Sequence, residues 1–301
     1  MQLDYQVPTP LEYFKLLVNS DEQSDNQFPL LEAATALAQD EYPDLDVQAV
    51  LDDVDKLLAR VKRRIPADSS ALQRLRILSQ FFFRDLGFGG NVNHFYDAEN
   101  SFINSVLRTR RGIPISLAVL WLELAQGLKL DAYGVAFPGH FMLKVSLPNG
   151  QVVIDPFTGQ SLSREDLSER LQPFQKEQNA AQKMQELDDQ LDSSTTDQDI
   201  PLGLYLQAAK PRDIIVRMLH NLKEIYRSQE DWQRMIQVQD RLIALYSDAW
   251  EEYRDRGLAF AELGKATAAV HDLDVYLSQV ADAVDANAIA LRAAELRRAI
   301  I

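Results

Sequence analysis

The sequence predicts an α+β fold in which a mainly helical domain with a small antiparallel sheet is followed by a helical tail. Three patterns lead to this prediction. Apolar residues recur at helical spacing through the first hundred residues, alternate with a period of two between Tyr133 and Ile154, and repeat at an offset of 34 residues in the tail. The length of 301 residues allows about two domains of ~100–200 residues each.

Composition and charge argue against several classes of function. Lys and Arg total 31 against 45 Asp and Glu, so the net charge of −14 disfavours binding to nucleic acid and to anionic membranes. The chain contains no cysteine, which excludes disulfides, thiolate metal sites and every thiol nucleophile. The acidic start and the absence of a long apolar run predict a cytoplasmic location without direct membrane insertion.

The helical part of the first domain ends in a helix that is apolar on nearly every face, from Ile115 to Gly127. Such a helix is expected in the centre of the domain, and Pro114 suits its first turn. An earlier helix follows the capping residues Asp68 and Ser69, carries three consecutive phenylalanines that we expect in the core, and ends at the Gly87–Gly90 segment.

The period-two region predicts three short strands. Their apolar positions are Tyr133, Val135 and Phe137, then Phe141, Leu143 and Val145, then Val152 to Ile154. Pro148, Asn149 and Gly150 supply turn chemistry for a hairpin between the second and third strands. A buried helix is therefore expected to precede a small antiparallel sheet.

Changes in composition predict the domain boundaries. Residues 1–174 are expected to form the first domain, the polar stretch 175–210 a solvated helix and linker, and residues 211–301 the tail. In the tail, Tyr226 matches Phe260 and Leu242 matches Tyr276 at the 34-residue offset, a period typical of tetratricopeptide repeats. Two interpretations stay open: a curved surface that binds a partner, or a helical lid packed on the first domain.

Several segments together resemble a known family. They are Asn100 to Phe102, Arg110 to Leu117, Pro138 to Phe141, Ile154 to Phe157, Arg217 to Leu222 and Arg254 to Leu258. These segments look like the bacterial SirB-type proteins, which join a transglutaminase-like domain to tetratricopeptide repeats. The resemblance covers most of the chain except the first forty residues and the linker.

The resemblance implies a papain-like arrangement in which a cysteine opens the buried helix, a histidine lies on the next strand and an aspartate on the following one. His140 and Asp155 match the second and third positions, whereas Pro114 stands where the cysteine would be. Ser116 lies two positions further on, rotated by about 200° around the helix. Cysteine-type acyl transfer is therefore excluded, and the His140–Asp155 pair is either a functional remnant or a hydrogen bond that stabilises the sheet.

Other candidate sites are weaker. His94, Asp97 and Glu99 offer metal-compatible atoms in a loop, but such a set is commonplace, so we expect no metal and no cofactor. Arg110 and Arg111 could clamp a carboxylate or phosphate, although pairing with acidic helices is the favoured interpretation.

The leading functional prediction is a non-catalytic interaction, scaffold or regulatory protein that binds a protein partner through the repeat-like tail. The alternative is a hydrolase or transferase in which His140 acts as a general base oriented by Asp155. A third interpretation is a regulator whose N-terminal helices hold the tail in place.

Overall fold

The computed structural model describes residues 8–19, 28–188, 201–280 and 282–300. The chain divides into two compact units. The repeat unit contains the described residues of Met1–Leu51, Tyr96–Arg108 and Pro211–Ile301, and the sheet unit contains those of Asp52–Phe95 and Thr109–Lys210. Within the described ranges, every helix is too short or too polar to span a bilayer.

The described helices and strands follow one another along the chain. The helices are α1 (Pro10–Val18), α2 (Leu30–Ala36), α3 (Val47–Lys62), α4 (Ala71–Ser79), α5 (Ile103–Thr109), α6 (Pro114–Gly127), α7 (Arg164–Asp188), α8 (Leu202–Tyr205), α9 (Pro211–Ser228), α10 (Trp232–Leu245), α11 (Trp250–Glu262), α12 (Ala266–Gln279) and α13 (Ala286–Ile300). The strands are β1 (Gly89–Gly90), β2 (Arg111–Gly112), β3 (Asp131–Val135), β4 (Met142–Leu147), β5 (Gly150–Ile154) and β6 (Ser161–Leu162). A π-helical segment, Gln80–Asp85, continues α4, and a 3-10 turn, Ala98–Ser101, precedes α5.

The centre of the sheet unit is α6, as its apolar sequence predicts. Nearly all of its side chains are buried, including Trp121. The four-stranded antiparallel sheet has the order β3-β4-β5-β6, and α6 packs on β3 and β4. The predicted hairpin is present, with Leu147 paired to Gly150 across the Pro148–Asn149 turn. The predicted α+β class is therefore confirmed.

Helices α7 and α8 complete the core of the sheet unit. A cluster of buried apolar side chains joins the sheet to these helices: Val135, Phe137, Met142, Val153, Leu167, Leu171 and Leu206. Lys144 Nζ also donates to the carbonyl oxygen of Leu206 at 2.6 Å, and the Ala209 amide donates to the Gly134 carbonyl at 2.8 Å. The segment that follows the sheet is thus fixed to it as far as residue 209.

The repeat unit contains helix pairs at the predicted period. Helices α10 and α12 begin at Trp232 and Ala266, 34 residues apart, and α9 and α11 end at Ser228 and Glu262, again 34 apart. Small residues permit close helix packing: a Cβ at Gly257 would lie 2.8 Å from the Leu273 side chain. The repeat inferred from the sequence is therefore present as stacked helices.

The two N-terminal helices pack against α9 and α10 within the same unit. Arg234 makes two hydrogen bonds to the Glu41 carboxylate, of 2.7 and 2.9 Å, and the buried Arg241 pairs with Asp40 at 2.5 Å. The predicted division into 1–174, 175–210 and 211–301 stays a prediction. Residues 189–200 of the predicted linker lie outside the described residues, whereas 175–188 are the end of α7.

Candidate functional site

The first turn of α6 carries no reactive side chain at the position predicted for a nucleophile. Pro114 is the first residue of the helix and is buried, and the preceding residue, Ile113, has no capping side chain. Proline is favoured here because its fixed φ suits a helix start and its missing N–H would be unpaired anyway. The helix start therefore has a buried apolar residue where the family resemblance places the cysteine.

Ser116, which carries the nearest hydroxyl along the chain, has a structural role. Its side chain is fully buried, and its Oγ donates a hydrogen bond to the backbone carbonyl of Ile113 at 3.0 Å. Because this hydroxyl already donates its proton to a backbone carbonyl, it is less available to a substrate.

His140 and Asp155 lie in contact, as their alignment with the family pattern led us to expect. The imidazole Nε2 is 2.9 Å from Asp155 Oδ1. His140 stands just before β4 and its side chain is 22% exposed, whereas Asp155 follows β5 and its side chain is only 4% exposed. Antiparallel pairing of these two strands brings the residues together, since Leu143 faces Ile154 in the register. The pair thus combines a buried carboxylate with an imidazole that solvent reaches.

The environment of Asp155 favours its charged form. Burial raises the pKa of this carboxyl, but hydrogen bonds from His140 and from the Phe157 amide at 2.9 Å, with the positive charge of Arg170, outweigh burial. The net result is a pKa below the ordinary value. Arg170, on α7, reaches the second carboxylate oxygen, with Nη1 3.3 Å from Oδ2. Asp155 is therefore an acceptor that fixes the ring orientation of His140.

Helix α7 also packs against the turn that holds His140. Gly139 adopts a φ of +65°, and a Cβ built there would lie 2.5 Å from Cζ of Phe174. Both the left-handed backbone and the close approach of the phenylalanine ring require glycine at this position. The turn that presents His140 is thus fixed by α7 as well as by the sheet.

The segment after Asp155 contacts β1, which pairs in parallel with β2. The Gly90 amide donates to the Phe157 carbonyl at 2.8 Å, and a Cβ on Gly90 would overlap the Phe157 ring at 2.1 Å. The ring of Phe95 lies 6.0 Å from the ring of Phe157, centroid to centroid. These contacts connect the residues that follow Asp155 to the strand pair that leads into α6.

Arg110 and Arg111 contact the segment just before β1. Arg111 Nη1 donates to the Gly87 carbonyl at 2.6 Å, and the Arg110 guanidinium lies 4.6 Å from the centre of the Phe88 ring. Burial and the nearby charge of Arg60 lower the pKa of Arg110. Among the described residues, no three His, Cys, Asp or Glu side chains gather so as to hold a metal ion.

Sequence reasoning missed the contribution of α7, namely Arg170 and Phe174. A signal for the start of this helix was present. Ser163 and Asp166 form a reciprocal cap, in which the Ser163 amide donates to Asp166 Oδ2 at 2.8 Å and the Asp166 amide to Ser163 Oγ at 3.1 Å. This spacing predicts a helix from residue 164, which would have placed Arg170 on a helix close after the sheet.

Comparison with known families agrees with this architecture. Residues 48–220 match the family model of the transglutaminase-like superfamily, and residues 222–294 match a tetratricopeptide repeat model. The chain is thus a transglutaminase-like protein with a repeat tail, and the predicted family resemblance is confirmed.

The relatives define the family more closely. A UPF0162 protein of Xylella fastidiosa (strain Temecula1) is 35% identical over 254 residues, which are 84% of each chain, and the UPF0162 protein YchA of Escherichia coli K12 is 25% identical over 84% of this chain and 87% of its own. This chain belongs to the UPF0162 family. A crystal structure of menin, which reveals the binding site for Mixed Lineage Leukemia protein, matches with a TM-score of 0.38 and 12% identity, over 89% of this chain and 68% of menin.

Proposed function

We propose that this protein is a non-catalytic interaction protein that binds a partner polypeptide through its repeat tail and retains a degenerate transglutaminase-like site. The single observation that supports this most is the start of α6. Pro114 opens the helix where the family resemblance places the nucleophile, Ser116 bonds to the backbone, and the sequence has no cysteine. Without a nucleophile the site lacks the first step of covalent acyl transfer.

The tail offers a surface that suits a partner. Helices α9 and α11, the first helices of consecutive pairs, contact each other through Lys223, whose Nζ lies 2.6 Å from Glu252 and 2.7 Å from Asp255. Glu251 is exposed and lies one turn before Asp255, and therefore on the same side of α11 as that contact with α9. Stacked helix pairs generally present such first helices along an extended binding surface.

The test is an affinity capture from native lysate, read by mass spectrometry, with the full chain as bait. The baits are the wild type, Glu251→Arg on α11, Glu165→Arg on α7 as a matched charge reversal, and His140→Ala. We expect one stoichiometric partner with the wild type, Glu165→Arg and His140→Ala, and at least a tenfold loss with Glu251→Arg. Equal recovery with all four baits, or no partner with the wild type, would contradict the proposal.

A second candidate function rests on the 2.9 Å contact between His140 Nε2 and Asp155. In a hydrolase of this type, Nε2–H donates to the carboxylate while Nδ1 takes a proton from water. The water oxygen then attacks an acyl carbon, and the proton passes from Nδ1 to the leaving group. A positioned base of this kind is worth ~10²- to 10⁴-fold in rate. Hydrolysis of simple esters or amides that disappears in His140→Ala, with unchanged unfolding, would favour this candidate over the first.

A further inference from the structure

A groove of about 500 Å³ lies in the sheet unit, between the helical segment formed by α4 with its π-helical continuation and the β5–β6 edge of the sheet. One wall presents Leu72, Arg76, Ser79 and Phe83, which follow one another at spacings of three or four residues and so share one helical face. The opposite wall is formed by β5, β6 and the turn that joins them. A groove of this volume is within the range of small-molecule sites.

The turn that borders the groove is held by backbone contacts. The Asp155 amide donates to the Gln160 carbonyl at 2.9 Å, and the Gly159 amide donates to the Asp155 carbonyl at 2.7 Å. Gly159 has a φ of +73°, and a Cβ there would lie 2.6 Å from Cγ of Phe83. The turn and the phenylalanine therefore meet as closely as a glycine allows, so the groove is preformed.

The charge of the groove is opposite to that of the whole protein. Arg76 and Arg84 both line it and are exposed, and within the described part of the chain neither forms an ion pair, a hydrogen bond through its side chain or a ring contact. Asp85, next to Arg84, forms an ion pair with Arg64 and accepts a hydrogen bond from Gln80 Nε2 at 3.0 Å. On a chain of net charge −14, two arginines left unpaired beside one groove provide local complementarity to an anion.

The remaining lining combines apolar side chains with the polar side chains of Ser79, Gln80, Thr158 and Ser161. Leu72 is 40% exposed although it faces the groove, and Val152 is half-buried, whereas Leu75 and Ile154 border the groove but are buried. The neighbouring edge strand β6 is only two residues long, which is too short to pair with an added peptide strand. The lining thus suits a ligand with one anionic group and an apolar body.

We propose that this groove binds a small amphiphilic anion, that is, a carboxylate or phosphate monoester attached to a hydrocarbon chain or ring. The anionic group pairs with Arg76 and Arg84, and the apolar body covers Leu72 and Phe83. The proposal concerns a site other than the His140–Asp155 pair and does not depend on the function proposed above.

The test is calorimetric titration of the full chain with decanoate, decyl phosphate, decanol and acetate. We expect dissociation constants on the order of 0.1 mM for one or both of the amphiphilic anions and at least tenfold weaker binding of decanol and acetate. Decanoate against decyl phosphate decides between a carboxylate and a phosphate ligand. No heat from either amphiphilic anion, or equal affinity for decanol, would overturn the proposal.

Four variants locate the binding. Arg76→Gln and Arg84→Gln should each weaken anion binding about fivefold to tenfold, the range for an exposed charge-assisted contact. Arg63→Gln, an exposed arginine outside the groove, makes the same change of charge and should leave the affinity within twofold. Ser161→Trp should block the groove and abolish binding while thermal unfolding stays unchanged. If Arg63→Gln weakened binding as much as Arg76→Gln, general electrostatic attraction to the protein would explain the binding, and the groove would be rejected as the site.

Discussion

The two units each bury a carboxylate beside a cation, but they enclose it differently. In the repeat unit, Lys223 lies between Glu252 and Asp255, and all three side chains are at most 20% exposed. In the sheet unit, Asp155 is as buried as these, yet its partners His140 and Arg170 are 22% and 41% exposed. Solvent therefore reaches both cations of the second cluster, whereas in the first it is kept from Lys223 but reaches His220, whose side chain is 49% exposed and lies 3.3 Å from Glu252.

Lys223, Glu252 and Asp255 form an ion cluster that links two helices. Lys223 ties α9 to α11, and Arg256 in α11 similarly joins Asp240 of α10 to Asp272 of α12, at 2.6 Å each. Such clusters fix the stacking of helices, because removing one charge leaves the others buried without a partner. A buried charge alone is thus a poor indicator of function.

The largest expected effect is at Lys223. Replacing it in Lys223→Met leaves Glu252 and Asp255 with weaker partners in a closed environment, which should cost about 3 kcal/mol of unfolding free energy. Urea unfolding followed by circular dichroism measures this loss. Arg227→Met on the same helix removes a salt bridge with Glu224 in which both side chains are 58% exposed, so it should cost less than about 0.5 kcal/mol. Equal effects of the two variants would contradict the inference that the Lys223 ion pairs stabilise the fold more than an exposed salt bridge does.

Gly139→Ala is expected to have the next largest effect. A β-carbon must be placed at a φ of +65° and against the Phe174 ring, so we expect a loss of about 2 kcal/mol. Gly203→Ala is the control, because Gly203 lies in α8 with nothing within 4 Å of its added Cβ. Thermal unfolding of both variants measures the effect, and an unchanged melting temperature in Gly139→Ala would show that α7 does not fix the His140 turn.

Asp155→Asn tests the electrostatics of the open cluster through its pH dependence. The folded pKa of Asp155 is lower than the ordinary value of about 4. Its charge therefore contributes stability that is complete above that ordinary value and is lost as the pH falls through the folded pKa. We expect Asp155→Asn to cost about 1.5 kcal/mol at pH 7 and progressively less in acid.

The measurement is urea unfolding at a series of pH values, with the exposed Asp68→Asn as control. A difference between wild type and Asp155→Asn that stays constant down to pH 3, or grows there, would contradict the assignment of a lowered pKa to this carboxyl.

Ser116→Ala should have the smallest effect. The loss of one buried hydrogen bond to the Ile113 carbonyl is expected to cost about 0.5–1 kcal/mol in unfolding by urea. Any esterase activity found in the wild type should survive the change. Activity abolished in Ser116→Ala with stability retained would identify a serine nucleophile and reject the structural role of this hydroxyl.

The parts of the fold that the sequence predicted are those with strong local patterns. The buried helix α6, the β4–β5 hairpin and the 34-residue helix period each depend on spacing within a short stretch or on repetition of it. The contact of His140 with Asp155 followed from the family pattern, because each residue adjoins a strand whose partner is next in the chain.

The parts that were not predicted depend on contacts between distant segments. The pairing of Gly89–Gly90 with Arg111–Gly112 involves two residues on each side, too few for any periodicity. Arg170 reaches Asp155 only because α7 returns along the sheet, a direction that helical spacing does not encode. The π-helical segment Gln80–Asp85 likewise arises from packing of its phenylalanines, since Phe81 and Phe82 are fully buried.

The packing of α1 and α2 on the tail has a consequence for synthesis on the ribosome. Glu41 and its partner Arg234 are 193 residues apart. At ~5–20 residues per second, about 10–40 s pass between the appearance of the first and of the second. Throughout that interval the buried face of Phe14 is without the α10 residues that cover it, including Arg241. The apolar side of α1 therefore stays uncovered on the nascent chain until α10 has been synthesised.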